Sequence, residues 1–163
     1  MPSTLTTRNR LLTAIRSPAW VCFAWFGMTA GVSLLATPLR FSAPTITRPV
    51  AFDIGRVVFS GLNKAEFVAL IIMLVLVRVS GLARKMWAGC CAVALILIAQ
   101  SLWLLPELSE RAARIVAGEE VPRSYVHAAY SILELSKLLL LLYLGFYALR
   151  ALARSAGHSD TGA

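Results

Sequence analysis

The sequence predicts an all-α fold: a polytopic integral membrane four-helix bundle with an additional amphipathic helix before the second span. Two observations carry this prediction. Hydrophobic residues make up 58% of the 163 residues and charged residues 15%, whereas about 25% of the residues in a soluble domain are charged. The apolar residues also fall in blocks of roughly 20, the length that crosses a bilayer core of about 30 Å. We therefore expect membrane helices with short connections, not a soluble domain with tails.

Four spans are predicted within a membrane domain of residues 18–152. Pro38 is expected to end the first span, because proline cannot continue the hydrogen-bond ladder of a helix. Gly61 is expected to end an earlier helix, and Asn63 with Glu66 then has the spacing of a capping box that begins the second span. The four predicted spans cover residues 18–37, 65–82, 86–105 and 125–151.

The segments outside the spans are short. Residues 1–17 form a basic N-terminal segment, which we expect either to lie as a helix on the membrane surface or to fray. A loop at residues 37–48 follows the first span, and Pro49 begins an amphipathic helix that runs to about Leu62. Residues 153–163 are mostly small and polar, which predicts a flexible C-terminal tail.

The distribution of charge predicts a membrane setting. The formal net charge is +8, and most Lys and Arg residues flank the apolar blocks. This placement favours contact with membrane lipids and predicts no nucleic-acid partner, since no basic run with interleaved aromatic residues is present. In a four-span arrangement, eight basic residues lie on the side of the termini and five or six on the other. The bias predicts a bacterial inner membrane protein with both termini in the cytoplasm.

One face of the last span is polar. His127, Tyr130, Ser131, Glu134 and Lys137 lie on an otherwise apolar helix, within a sector of roughly 120°. Lipid cannot satisfy these groups, and a charge near the bilayer centre costs at least about 3 kcal/mol. Glu134 and Lys137 are spaced so that each can neutralise the other across one helical turn. The face therefore has to contact protein or enclosed water.

Two interpretations of this face remain open. It is either a polar pathway for a proton or small cation, with Glu134 as the titrating group and the Asp53–Arg56 pair opposite, or a structural ion-pair network that fixes the register of the helices. The pathway interpretation expects Glu134 and Lys137 to line a cavity. The structural interpretation expects them to close on each other in a dry, packed core.

No residue pattern predicts an enzyme, a metal site or a cofactor. The sequence has no Gly-rich phosphate loop, no HExxH motif and no GxSxG motif. Cys22, Cys90 and Cys91 lie in apolar segments without CxxC spacing, so they predict neither a disulfide framework nor a metal centre. Gly27 and Gly31 form a GxxxG motif, which predicts a face where another helix can approach closely.

Four stretches of the chain carry a family resemblance: GVSLLATPLRF (31–41), RPVAFDIGRVVFSGLNKAEF (48–67), LWLLPELSERA (102–112) and HAAYSILELSK (127–137). With the order of its segments, the chain resembles the transmembrane protein 205-like family of small four-span proteins in bacteria and eukaryotes. The resemblance implies a four-helix membrane fold. It supplies no reaction, because the family has no assigned biochemical activity.

The sequence thus leaves two main hypotheses about function. The first is a structural or accessory membrane component that assembles with a second copy, or with another membrane protein, through Gly27 and Gly31. The alternative is a small ion, proton or cation transporter that uses the polar face of span four. A membrane enzyme is the hypothesis with least support.

Overall fold

A computed structural model describes residues 3–122 and 124–160, and every regular element in that part of the chain is a helix. This confirms the predicted all-α class. Two of the elements are π-helical turns, here named π1 and π2. In chain order the elements are α1 (Ser3–Arg16), α2 (Ala19–Ala30), π1 (Gly31–Ala36), α3 (Thr37–Ser42), α4 (Arg48–Ser80), α5 (Arg84–Ala99), π2 (Gln100–Leu104), α6 (Leu105–Val116) and α7 (Val126–Asp160).

Three continuous helical segments are long and apolar enough to cross a membrane. They are α2 to α3 (Ala19–Ser42), α5 to α6 (Arg84–Val116) and most of α7 (Val126–Arg154), with 24, 33 and 29 residues. These lengths and compositions agree with a membrane protein. The second predicted span, residues 65–82, falls largely in the C-terminal half of α4 and is not among the three. The four-span arrangement therefore stays a prediction.

The apolar core lies where α2, α4, α5 and α7 meet. Each helix contributes a row of buried side chains, represented by Trp25, Met73, Leu97 and Leu141. In lipid, such helices associate through close packing and polar contacts, because the lipid tails are as apolar as the side chains. Polar contacts between the helices therefore help to determine how the bundle packs.

The first predicted span continues as a helix past Pro38, which the sequence predicts as its end, and a helix likewise runs through Pro106 after the third predicted span. Pro38 lies at the start of α3 and Pro106 at the start of α6, and a π-helical turn precedes each. In π1 the Thr37 N–H donates to the Val32 carbonyl, five residues back. This wider turn relieves the clash between the proline ring and the carbonyl four residues earlier. The predicted loop at residues 37–48 is therefore wrong for residues 37–42, which are helical.

α4 is one helix of 33 residues, and the predicted break at Gly61 is wrong. Gly61 keeps a helical backbone, whereas Gly81 takes the left-handed conformation (φ 63°) that ends the helix. Asn63 does not cap a helix, because its side-chain amide donates to Ser101 Oγ at 2.7 Å. The predicted amphipathic helix and the predicted second span are therefore two parts of one continuous helix.

Both ends of the chain are helical where they are described. α1 lies within the predicted basic segment, and its Leu11 and Ile15 side chains are exposed, as the surface-helix alternative expects. α7 extends to Asp160, into the predicted tail of residues 153–163. Residues 161–163 lie outside the described residues, and the flexibility of the tail stays a prediction.

Candidate functional site

Four polar side chains meet in the middle of the bundle: Glu66 of α4, Gln100 of π2, and Glu134 and Lys137 of α7. We call them the buried network. Lys137 Nζ lies 2.6 Å from Glu66 Oε1 and 2.9 Å from Glu134 Oε2, and it donates to Gln100 Oε1 at 2.9 Å. The Lys137 side chain has no exposed surface. Its charge is therefore satisfied entirely by protein groups.

The two carboxylates accept further hydrogen bonds from neighbouring helices. Trp25 Nε1 and Thr29 Oγ1 of α2 both donate to Glu66 Oε1, at 2.9 and 3.0 Å. Ser33 Oγ of π1 donates to Glu134 Oε1 at 2.6 Å. Gln100 Nε2 donates to Glu134 Oε2 at 2.8 Å. Hydrogen bonds to ionised groups are shorter and stronger than neutral ones, so these donors help to hold both carboxylates out of water.

The helical repeat of α7 and the two π-helical turns place polar side chains at the buried network. Glu134 and Lys137 lie one turn apart on α7, where side chains three residues apart share a face. Ser33 lies in π1 and Gln100 in π2. A π-turn inserts an extra residue into the helical repeat and is frequent at functional sites. The residues that these turns bring to the buried network are polar, which marks the two turns as part of the site.

The buried network has an uneven charge. Glu66 and Glu134 are two carboxylates, and Lys137 is the one ammonium that contacts both. With all three groups ionised, the set carries one formal negative charge, which the hydrogen bonds from Trp25, Thr29, Ser33 and Gln100 partly offset.

The predicted polar face is divided between two places. Glu134 and Lys137 close on each other and are not among the residues that line the cavity described below. Tyr130 and His127, nearer the start of α7, do line it. The ring of Tyr130 is buried and packs edge-on against Phe59, with 5.7 Å between centroids, whereas His127 is exposed.

The predicted Asp53–Arg56 pair forms, but not opposite the buried network. The Arg56 guanidinium lies 2.7 Å from Asp53 Oδ1, and the two side chains are 45% and 50% exposed. Glu66 occupies the facing position instead. The sequence contains a signal for this residue, since Glu66 is the acid that adjoins the apolar run from Phe67 to Val77. The sequence predicts Glu66 as part of a capping box instead, and so does not predict Glu66 as a partner of Lys137.

A cavity of about 470 Å³ lies between α3, α4, α6 and the start of α7. Arg40, Arg48, Arg56 and Arg111 contribute to its wall, together with the rings of three phenylalanines. The Arg40 guanidinium carbon lies 5.0 Å from the ring centroid of Phe41, and that of Arg48 lies 5.7 Å from Phe52. The cavity therefore combines positive charge with aromatic surface.

The predicted packing face at Gly27 and Gly31 is open in the single chain. A Cβ atom placed on either glycine would meet no atom within 4 Å from the described residues outside its own stretch of helix. Cys22 and Cys90 are buried and Cys91 is exposed, all three as free thiols. Among the described residues, no group of three or more His, Cys, Asp or Glu side chains is placed to hold a metal ion.

Comparison of the chain with protein-family models, with curated proteins and with solved structures finds no match. Function has to be inferred from the buried network and the cavity themselves.

Proposed function

We propose that the chain is a structural or accessory component of a membrane, in which the buried network fixes the packing of α2, α4, α5 and α7. One observation carries the proposal: the Lys137 ammonium contacts both Glu66 and Glu134 and has no exposed surface. A route for ions needs a charged group that solvent or substrate can reach. The proposal assigns no catalytic activity to the chain.

The energetics of membrane helices support this role. Apolar side chains give helices little reason to prefer one packing over another in lipid, so specificity depends on small residues and interhelical polar contacts. An acid on α4, an amide on π2 and a lysine on α7 can all be satisfied only in one register of the three helices. Any slip of one helix would leave a charge unpaired in the bilayer.

Transport of a proton or small cation is the second candidate, and the excess carboxylate favours it. Glu66 and Glu134 outnumber the single ammonium that joins them, so the buried network could accept one additional positive charge. Tyr130 lies one turn from Glu134 on α7 and lines the cavity. A proton moving from the cavity toward Glu134 would meet His127 and then this phenol.

Glu134→Gln separates the two candidates when flux and stability are measured together. The structural role expects wild-type proteoliposomes with an entrapped pH dye to show no more proton flux than empty vesicles. It also expects the substitution to lower the free energy of unfolding by about 1.5–3 kcal/mol, because hydrogen bonds to a charged group are lost. The matched control is Glu120→Gln at an exposed position. Wild-type flux that Glu134→Gln removes, without a drop in thermal stability, would favour transport and overturn the structural role.

We also propose that α4 forms the second of four spans, with both termini in the cytoplasm of a bacterial inner membrane. The support is that residues 67–77 are apolar on both the buried and the exposed face of the helix. Leu70, Met73 and Val77 lie in the core, while Ile71 and Val75 are exposed, as on the outer faces of the other long helices. The resemblance to the transmembrane protein 205-like family, which has four spans, points the same way. Membrane lipids and a second copy of the chain are the proposed partners.

A further inference from the structure

The cavity between α3, α4, α6 and α7 holds more positive charge than its own walls neutralise. Of its four arginines, Arg56 is paired with Asp53 at 2.7 Å. Within the described part of the chain, none of the residues that line the cavity is Asp or Glu, and neither Arg40 nor Arg48 has a carboxylate partner. Charges with one sign in a wall of low dielectric attract a ligand of the opposite sign.

Arg40 is held in place without an anion. Its Nε atom is buried and has no hydrogen-bond partner among the residues that the structure describes, although buried polar groups in proteins are almost always satisfied. The end of the guanidinium lies against Gly55 of α4, so closely that a Cβ atom on Gly55 would clash with both Nη atoms and lie 2.7 Å from Arg40 Cζ. The ring centroids of Phe41 and Phe59 lie 5.0 and 5.9 Å from that carbon. The fold thus places a cation in the wall of the cavity, and this cation has no hydrogen-bond partner among the described residues.

The rest of the cavity wall suits a ligand that is both anionic and apolar. Arg48 stacks on Phe52, and Arg111 donates to the Pro122 carbonyl, so both guanidinium groups are placed by neutral partners. The volume of about 470 Å³ lies in the range of about 300–1,000 Å³ that is usual for small-molecule sites. Arginine offers a planar set of donors that matches phosphate oxygens in pairs.

We propose that this cavity binds the phosphate headgroup of an anionic lipid. The cavity lies beside α3 and the start of α7, at the ends of two segments long enough to cross a membrane, where lipid headgroups are found. Exposed apolar residues adjoin the lining residues Arg40 and Arg56 in the chain, with Leu39 57% and Val57 64% exposed, and these can contact acyl chains. Basic pockets between membrane helices bind lipid headgroups in this way. The proposal does not rest on the role of the buried network, because neither Glu66 nor Glu134 lines the cavity.

The test measures lipid binding to the purified full-length protein in detergent by native mass spectrometry. Short-chain phosphatidylglycerol is the anionic probe, and phosphatidylcholine, a fatty acid and inorganic phosphate are the comparisons. We expect phosphatidylglycerol to bind at least about tenfold more tightly than the other three, and Arg40→Gln or Arg48→Gln to weaken it by about tenfold or more, since each removes charge-assisted hydrogen bonds. Arg78→Gln, at an exposed position of α4 outside the cavity, is the matched control and should bind like the wild type.

Gly55→Ala gives a second variant that keeps every arginine. The added methyl group would occupy the place of the Arg40 guanidinium and displace it, so phosphatidylglycerol binding should weaken although the net charge is unchanged. Equal binding of phosphatidylcholine or the fatty acid, or saturation by inorganic phosphate at the same concentration, would overturn the lipid assignment. Equal weakening in Arg40→Gln and Arg78→Gln would overturn the cavity as its location, because the attraction would then be a property of net charge alone.

Discussion

Lys137 is the residue on which the interior of the bundle depends. Its ammonium lies between Glu66 and Glu134, with no exposed surface. Taking these charges out of a polar medium costs several kcal/mol for each ion, and their mutual contacts offset this cost only while all three are present. Removal of the lysine alone leaves two carboxylates close together in an apolar interior without a counter-charge.

Lys137→Met should therefore cost more stability than replacement of the whole set. We expect the single substitution to lower the free energy of unfolding by about 3–5 kcal/mol, the usual cost of breaking a buried ion pair. The triple variant Glu66→Gln, Glu134→Gln, Lys137→Met removes all three charges and should lose less. Thermal unfolding followed by tryptophan fluorescence, to which Trp25 beside Glu66 contributes, measures both. A triple variant no more stable than the single one would contradict this account.

Half of the buried network can be predicted from the sequence. Glu134 and Lys137 are three residues apart on one helix, so the helical repeat alone brings them together. Glu66 and Gln100 join from other helices, and their positions depend on packing that no local rule contains. Gln100 is buried in the middle of an apolar stretch, a pattern that could have identified it as a partner for the charged pair.

At the scale of the elements, the sequence predicts which segments are helical better than it predicts where they end. Pro38 and Pro106 have the usual signature of a helix end, yet the helix continues through both because a π-turn precedes each. Gly61 likewise has the signature of a break, but its backbone stays helical and does not take the left-handed conformation that a glycine allows. A glycine or proline permits a helix to end but does not require it, and packing against the neighbouring helices determines whether it does. The buried network benefits, because π1 and π2 place Ser33 and Gln100 within it.

The elements also define a test of the four-span arrangement. If α4 crosses the membrane, both termini lie on the cytoplasmic side and the α6–α7 connection lies outside. Green fluorescent protein fused after Ala163 should then fluoresce, and alkaline phosphatase at the same site should be inactive. Fusions after Glu119, between α6 and α7, are the matched control and should give the reverse. Termini on opposite membrane sides, found with the same reporters at the N-terminus, would show that α4 does not span.

As a whole molecule, the bundle encloses a small polar network in a mostly apolar core and is apolar over much of its outer surface. The buried network occupies its interior, while Ile71, Leu95 and Ile132 project outward and are each more than 60% exposed. Lipid can cover such side chains, as the membrane assignment requires. The small residues Gly27 and Gly31 form a narrow open patch on this surface, since no described residue outside their own stretch of helix would contact a Cβ atom placed on them. Small residues four apart allow close approach of a second helix.

Gly27→Leu tests whether that patch is an interface between two copies. We expect the wild-type protein, extracted in lipid particles without detergent, to have the mass of a dimer, and Gly27→Leu to have that of a monomer, because the larger side chain keeps the helices apart. The fold of each copy should survive, since the position has open space around it. Gly61→Leu is the matched control: it too adds a leucine at an open helical glycine, but outside the patch. A monomeric wild type, or equal masses for the two variants, would show that Gly27 and Gly31 contact lipid instead of a partner, and the accessory role would then have to depend on another surface.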